Sequence, residues 1–180
     1  MDCKKALTEA DGDFEKAIEI LRKKGQKVSA SRSDKEAKEG SVFIKVSNDM
    51  KEAVLIALNC ETDFVARNEI FTDLVKDVSM HITASNPLYV SSDDVTKEDK
   101  IKMSGEFTEK VKAEGKPENM VPQIVDGMLK KYFAERCLLD QPFVKNPDQT
   151  VDQYVKEGIA KLGENIVIRR FYRIALGEVA

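Results

Sequence analysis

The sequence predicts an α+β chain: a small N-terminal helical module, a polar spacer, and a three-stranded antiparallel sheet covered by helices. Three observations lead there. Alternating or unbroken apolar runs occupy residues 42–58 and 166–174. The strongly periodic segments between those runs repeat at the 3.6-residue spacing of helices. Strands near both ends of a region, with helices between, fit an antiparallel sheet beneath a helical layer.

Residues 1–25 read as two short helices. Cys3, Ala6, Leu7 and Ala10 share one helical face, and Asp11-Gly12-Asp13 interrupts it. Gly12 suits the position just past a helix end, and Asp13 suits the N-cap of the next helix. Phe14, Ala17, Ile18 and Leu21 then repeat at i, i+3, i+4 and i+7, and Lys23-Lys24-Gly25 supplies a cationic, glycine-terminated end. Two helices of this size bury too little surface to stand alone. The pair needs a third helix before Met1 or support from the rest of the chain.

Residues 26–40 (QKVSASRSDKEAKEG) read as a linker. Ser33 and Glu36 have capping-box spacing, so one helical turn and a plain flexible spacer are both open readings.

Residues 41–180 form the expected core. Val42, Ile44 and Val46 alternate with Phe43, Lys45 and Ser47, and Asn48-Asp49 marks a turn. Residues 53–58 are continuously apolar, as in a strand covered on both faces, so a hairpin is predicted. Phe71, Leu74, Val75, Val78 and Ile82 make one helical stripe. Val121, Ile124, Val125, Met128 and Tyr132 make another, with Pro122 in its first turn. A charged helix spans about 97–114 around Gly105, and a short one spans 150–162. The run from Ile166 to Ile174 is the third strand.

Charge and composition narrow the function. Twenty-nine Lys and Arg against 32 Asp and Glu give a net charge of −3. Residues 1–40 carry 10 basic and 9 acidic groups, the remainder 19 and 23. Without a basic pole, generic nucleic-acid binding through phosphate neutralisation has little support, and no direct nucleic-acid partner is expected. No apolar run reaches the roughly 18 residues of a membrane span, and no signal-peptide pattern opens the chain. Cys3, Cys60 and Cys137 are an odd set without a C-x-x-C motif, which reads as reduced thiols of a cytoplasmic protein.

Candidate chemistry is sparse. His81 reads as a surface or boundary histidine at the edge of its helical stripe, with no ligand at metal spacing, so neither metal nor cofactor is expected. Cys60 with His81 as its base is a thiol-enzyme reading, but no sequence feature places the two together. Arg169 and Arg173 alternate onto one strand face and Arg170 onto the other, which suits edge or solvent-face positions.

The junction Cys60-Glu61-Thr62-Asp63-Phe64-Val65-Ala66-Arg67-Asn68 differs. Phe64 and Val65 are apolar where polar residues are cheap, and Glu61, Asp63 and Arg67 flank them. In one account Thr62 or Asp63 caps the next helix and Phe64 staples it to the core. In the other, Phe64 protrudes as an aromatic anchor for a partner's pocket.

The string Thr62-Asp63-Phe64-Val65-Ala66-Arg67-Asn68 resembles the signature of bacterial and organellar elongation factor Ts. So do Met1-Asp2-Cys3-Lys4-Lys5-Ala6-Leu7, Gly12-Asp13 with Glu15-Lys16-Ala17-Ile18, and Arg22-Lys23-Lys24-Gly25. Gly115-Lys116-Pro117-Glu118, Leu138-Leu139-Asp140-Gln141-Pro142-Phe143-Val144, Gly163-Glu164-Asn165-Ile166 and Arg169-Arg170-Phe171 follow in the family's order. The resemblance implies a guanine-nucleotide exchange factor, not an enzyme, that acts on elongation factor Tu. Carried over by position, Thr62, Asp63, Phe64 and Val65 would disturb the partner's Mg²⁺ site, with Phe64 as wedge. Met1, Asp2, Lys4 and Lys5 would belong to an N-terminal contact surface.

The family's first helix and Gly-rich turn lie upstream of the Met-Asp-Cys-Lys-Lys segment, so the module is expected to be incomplete here. A single core subdomain implies the short form, which pairs as a homodimer. The rival from another class is an interaction adaptor, because residues 1–25 also resemble small ubiquitin-associated-type helical domains.

Overall fold

A computed structural model describes residues 2–178 of the chain. The order of elements is α1 (Asp2–Glu9), α2 (Phe14–Arg32), β1 (Glu39–Val46), β2 (Glu52–Cys60), α3 (Asp63–Ala66), α4 (Glu69–Ser85), α5 (Lys97–Ala113), α6 (Val121–Ala134), β3 (Pro142–Phe143), β4 (Asn146–Thr150), α7 (Val151–Leu162) and β5 (Val167–Ala175). The chain divides into two compact units. One runs to Thr83 and resumes at Asp152, and the other is Ala84–Val151.

The first unit carries the sheet, in the order β1-β2-β5 and antiparallel throughout. The expected hairpin pairs Glu39 with Cys60 and Val46 with Ala53. Gly40 pins its open end. A Cβ there would lie 2.2 Å from the Leu58 carbonyl oxygen, and φ is +139°, so only glycine fits. On β2, Val54, Ile56, Leu58 and Cys60 are fully buried, and they share a face with Ile168. The helical stripe of α4 is buried, and α7 approaches it closely: a Cβ on Gly158 would meet Leu74 at 3.0 Å.

The opposite sheet face is open, which corrects the expectation that residues 53–58 are covered on both sides. Three cross-strand rows lie there: Val42–Ala57–Arg170, Ile44–Leu55–Tyr172 and Val46–Ala53–Ile174. Ile44 is 64% exposed and Ile174 73%. The strand is continuously apolar because both faces are apolar, yet the helices of this unit bury only one of them.

Three further expectations change. The second helix does not end at Gly25; α2 continues to Arg32 through half of the expected linker. Gly25 lacks the positive φ of a glycine terminator, and its Cα side faces Ala160 of α7, where an added Cβ would sit 3.5 Å from the Ala160 Cβ. It is a glycine inside the helix rather than a stop. His81 is completely buried, not at the surface, because the buried face of α4 widens to include Ser79 and His81 beside the apolar stripe. Arg170 and Arg173 alternate onto opposite faces as expected, but the β2–β5 register shifts between Ala57 and Leu58 and takes Arg169 out of the alternation as the extra residue. Arg173 is not a solvent-face arginine: it shares the covered side with Val54 and pairs with Glu52 and Glu178.

The second unit is built on α5 and α6. Val111, Val121 and Val125 form one buried cluster, with Phe107, Ile124, Met128 and Leu129 against it. Val95, Phe133 and Cys137 form another, and the Arg136 guanidinium stacks 3.6 Å over the Tyr132 ring. Thr96 caps α5 through the Asp99 N–H, and the Tyr89 hydroxyl donates to the Asp99 carboxylate. Among the described residues, no helix is long and apolar enough to cross a membrane.

Candidate functional site

The junction between β2 and α4 folds as predicted for a capped turn, but with its aromatic ring outside. Thr62 has an extended backbone (φ −129°, ψ 156°) and is the N-cap of α3, its Oγ1 accepting the Val65 N–H at 3.4 Å. Asp63 is the first helical residue and not the cap. Its carboxylate pairs with Arg67 one turn on, at 3.1 Å. The helix stops at Arg67, and Asn68 starts α4 by accepting the Ile70 N–H at 2.9 Å.

Phe64 is 84% exposed. This removes the account in which it staples the helix to the core. Val65 is half-buried and forms the inner side of the same turn. Thr62, Asp63, Phe64 and Val65 are therefore brought together as one displayed segment. Lys4 and Lys5 lie exposed on α1, beside Thr8 and Glu9, and form a second patch. The α1 helix packs on α2 through Ala6, Ala10 and Ala17. Met1 lies outside the described residues, and Asp2 starts the helix.

The turn is held from a distant part of the sequence. The Glu164 carboxylate accepts two hydrogen bonds from Thr62, from the backbone N–H at 3.0 Å and from the hydroxyl at 2.6 Å. Reciprocally, the Glu61 carboxylate accepts the Asn165 N–H at 2.7 Å and lies 3.5 Å from Arg32 at the end of α2. The buried Asn165 side chain donates to the Lys35 carbonyl at 2.8 Å, while Asn59 donates to the Ala37 carbonyl at 3.1 Å. The segment after α2 is thus tied to the core beside the turn.

Glu61, Glu164 and Asn165 are the residues that local sequence reasoning misses. Gly163, at φ +76°, is a helix-terminating glycine and signals a turn there, but nothing local says that this turn reaches Thr62.

Cys60 is buried, and its thiol donates to the Thr62 carbonyl at 3.1 Å. Burial, with the nearby Glu164 charge as the second cause, pushes this thiol up to about 11. Thiolate is then scarce at neutral pH, and Cys60 acts as a packed donor under the turn. No group of three or more His, Cys, Asp or Glu positioned to hold a metal ion occurs among the described residues. What the site presents is an aromatic ring on a short, hydrogen-bonded turn flanked by an internal ion pair.

Comparison with known proteins agrees with the motif pattern. A family model described as elongation factor TS matches residues 4–178. Elongation factor Ts of Moorella thermoacetica is 51% identical over 178 residues, covering 99% of this chain and 88% of that protein. The factor from Geobacter metallireducens is 49% identical, covering 99% and 82%. That from Acetivibrio thermocellus is 50% identical, covering 99% and 83%.

Proposed function

Because the chain belongs to the elongation factor Ts family, and so is a translation elongation factor, we propose that it is a guanine-nucleotide exchange factor for elongation factor Tu. The observation that carries this reading is the 84% exposure of Phe64 on a turn anchored by Thr62. In the proposed mechanism Phe64 enters the partner GTPase and, with Thr62, Asp63 and Val65, disturbs its Mg²⁺ site. Mg²⁺ bridges phosphate oxygens and neutralises their charge, so displacing it loosens the bound GDP.

No acid, base or covalent step is needed, and the chain acts as a binding protein rather than an enzyme. It must only bind the nucleotide-free partner better than the loaded one, and linkage makes this coupling reciprocal. A ring with two torsions on an ordered turn loses little entropy on insertion. The α1–α2 pair, as a ubiquitin-associated-like module with Met1, Asp2, Lys4 and Lys5, is the proposed second contact. The open sheet face is the proposed homodimer surface, and the cytoplasm is the proposed compartment.

The test is release of labelled GDP from elongation factor Tu at increasing concentrations of this chain. A saturable acceleration is expected. Off-rates that stay at the spontaneous value at every concentration would overturn the reading.

A further inference from the structure

We propose that Glu164 is a positioning residue for exchange: its carboxylate grips Thr62 and thereby fixes the turn that presents Phe64. The inference rests on the exchange reading above. The α3 helix has four residues, far below the length at which a helix persists on its own. Its aromatic ring points into solvent, so burial of that ring does nothing to hold it. The cap bond from Val65 to Thr62 is long, at 3.4 Å. The other local contacts are the surface Asp63–Arg67 pair, the Cys60 thiol under the Thr62 carbonyl and the half-buried Val65, and none of them engages the N–H or the hydroxyl hydrogen of Thr62.

Glu164 supplies what is missing. It follows Gly163, directly after α7, and engages both polar hydrogens of Thr62. Both bonds are charge-assisted, the stronger class of hydrogen bond. The pairing also fixes the hydroxyl rotor. With its hydrogen committed to Glu164, the Thr62 Oγ1 has lone pairs left only to accept, which is the role required toward Val65. The crossed bond from Asn165 to Glu61 makes the contact two-sided, so the Thr62 turn and the Gly163 turn restrain each other. Glu164 and Thr62 both lie outside the fully buried core, so the pair can be broken without opening a cavity.

A clamp of this kind acts on presentation. If the turn loosens, contacts made elsewhere with the partner persist, while insertion of Phe64 becomes less frequent within the complex. The maximal rate of GDP release then falls, and the half-saturating concentration stays nearly constant. A merely structural role has the opposite signature: a smaller folded fraction raises the total concentration needed and leaves the plateau unchanged.

The experiment uses the full chain with Glu164→Ala and Glu164→Gln, each titrated against elongation factor Tu loaded with labelled GDP. Glu164→Ala is expected to lower the plateau rate about tenfold, in line with the loss of charged hydrogen bonds. Glu164→Gln can still accept one of the two bonds, and is expected to recover part of that loss. A second readout needs no partner. The chain has no tryptophan, so Phe64→Trp provides a single reporter at the turn. Its time-resolved anisotropy should show faster local motion when combined with either Glu164 variant.

An unchanged plateau with a raised half-saturating concentration would overturn the proposal, and so would unaltered local motion at position 64. Should Glu164→Ala fail to fold, Glu164→Gln carries the same two tests. If the parent chain releases no GDP, the exchange reading falls and the role of Glu164 in exchange with it. The anisotropy arm then separately decides whether the clamp orders the turn.

Discussion

An aromatic ring held in solvent contributes little to folding, so Phe64 separates stability from function cleanly. Phe64→Ala should shift stability within the ordinary surface range of about ±0.5 kcal/mol. Removing an anchor worth about 2 kcal/mol should slow exchange about 30-fold. Thermal unfolding and GDP release, measured on the same preparation, check both halves. A variant that melts far lower but exchanges normally while folded would refute the wedge. The thiols allow a second test at this scale. Cys3 is exposed, whereas burial pushes both Cys60 and Cys137 up to about 11. One thiol per native chain should react rapidly with a maleimide or disulfide reagent at neutral pH, and three after denaturation; rapid loss of two or three native thiols would contradict the packing. The Thr62–Val65 segment is legible in the sequence because apolar residues at a polar junction are anomalous. Glu164 is not, since its hydrogen bonds reach across 102 residues. His81 misleads for a related reason: a helix packed broadly can bury a polar side chain at the rim of its stripe, and periodicity gives the stripe without its width.

Elements are read best where their periodicity is long and unambiguous. The α4, α5, α6 and α7 helices and the three sheet strands form close to where the pattern puts them, because amphipathic spacing reports the buried face directly. The end of α2 is read too early because Lys23-Lys24-Gly25 carries a cationic, glycine-ended stop signal, whereas Gly25 lacks positive φ and the helix runs on to Arg32. A glycine ends a helix only where the chain takes the left-handed conformation, and here it does not. That makes α2 the place for an element-scale test. Gly25 lies inside the helix without positive φ, and an added Cβ meets Ala160 at an ordinary 3.5 Å. Gly25→Ala should therefore gain the helix propensity of alanine, about 0.5–1 kcal/mol. For a chain of this length that raises the melting temperature by about 1–4 °C. If Gly25 were instead a required terminator, with the helix ending there, the same substitution would lower the melting temperature, and calorimetry decides between the two. The β3–β4 hairpin escapes sequence reading altogether, because two- and five-residue strands containing Pro142 and Pro147 carry no alternation to detect.

At the scale of the whole molecule, the α+β class follows from the order of patterns, but the division into units does not. The chain leaves the first unit at Thr83 and returns at Asp152, and only tertiary contacts can reveal that return. The same limit explains the open sheet face. An apolar run tells that both sides of β2 avoid water, not which molecule supplies the cover. The rows centred on Ile44, Leu55 and Tyr172 present a contiguous apolar surface larger than scattered exposed residues would give, and such surfaces mark interaction sites. A twofold partner would cover the face with an identical one, since an isologous interface pairs a patch with itself. Sedimentation equilibrium should accordingly return twice 20.2 kDa at tens of micromolar, with the melting temperature rising with concentration. Ile44→Lys gives the sharper form of the test. At 64% exposure the side chain contributes little to the fold of one chain, so the variant should melt close to a monomeric reference. In a sandwich of two sheets it would bury an unpaired ammonium near the centre, at a cost of several kcal/mol, which is enough to dissociate a micromolar dimer. A wild-type chain that sediments as a monomer at tens of micromolar would sink this assignment. A dimer indifferent to Ile44→Lys would move the interface to another surface, leaving the open face without a self-partner.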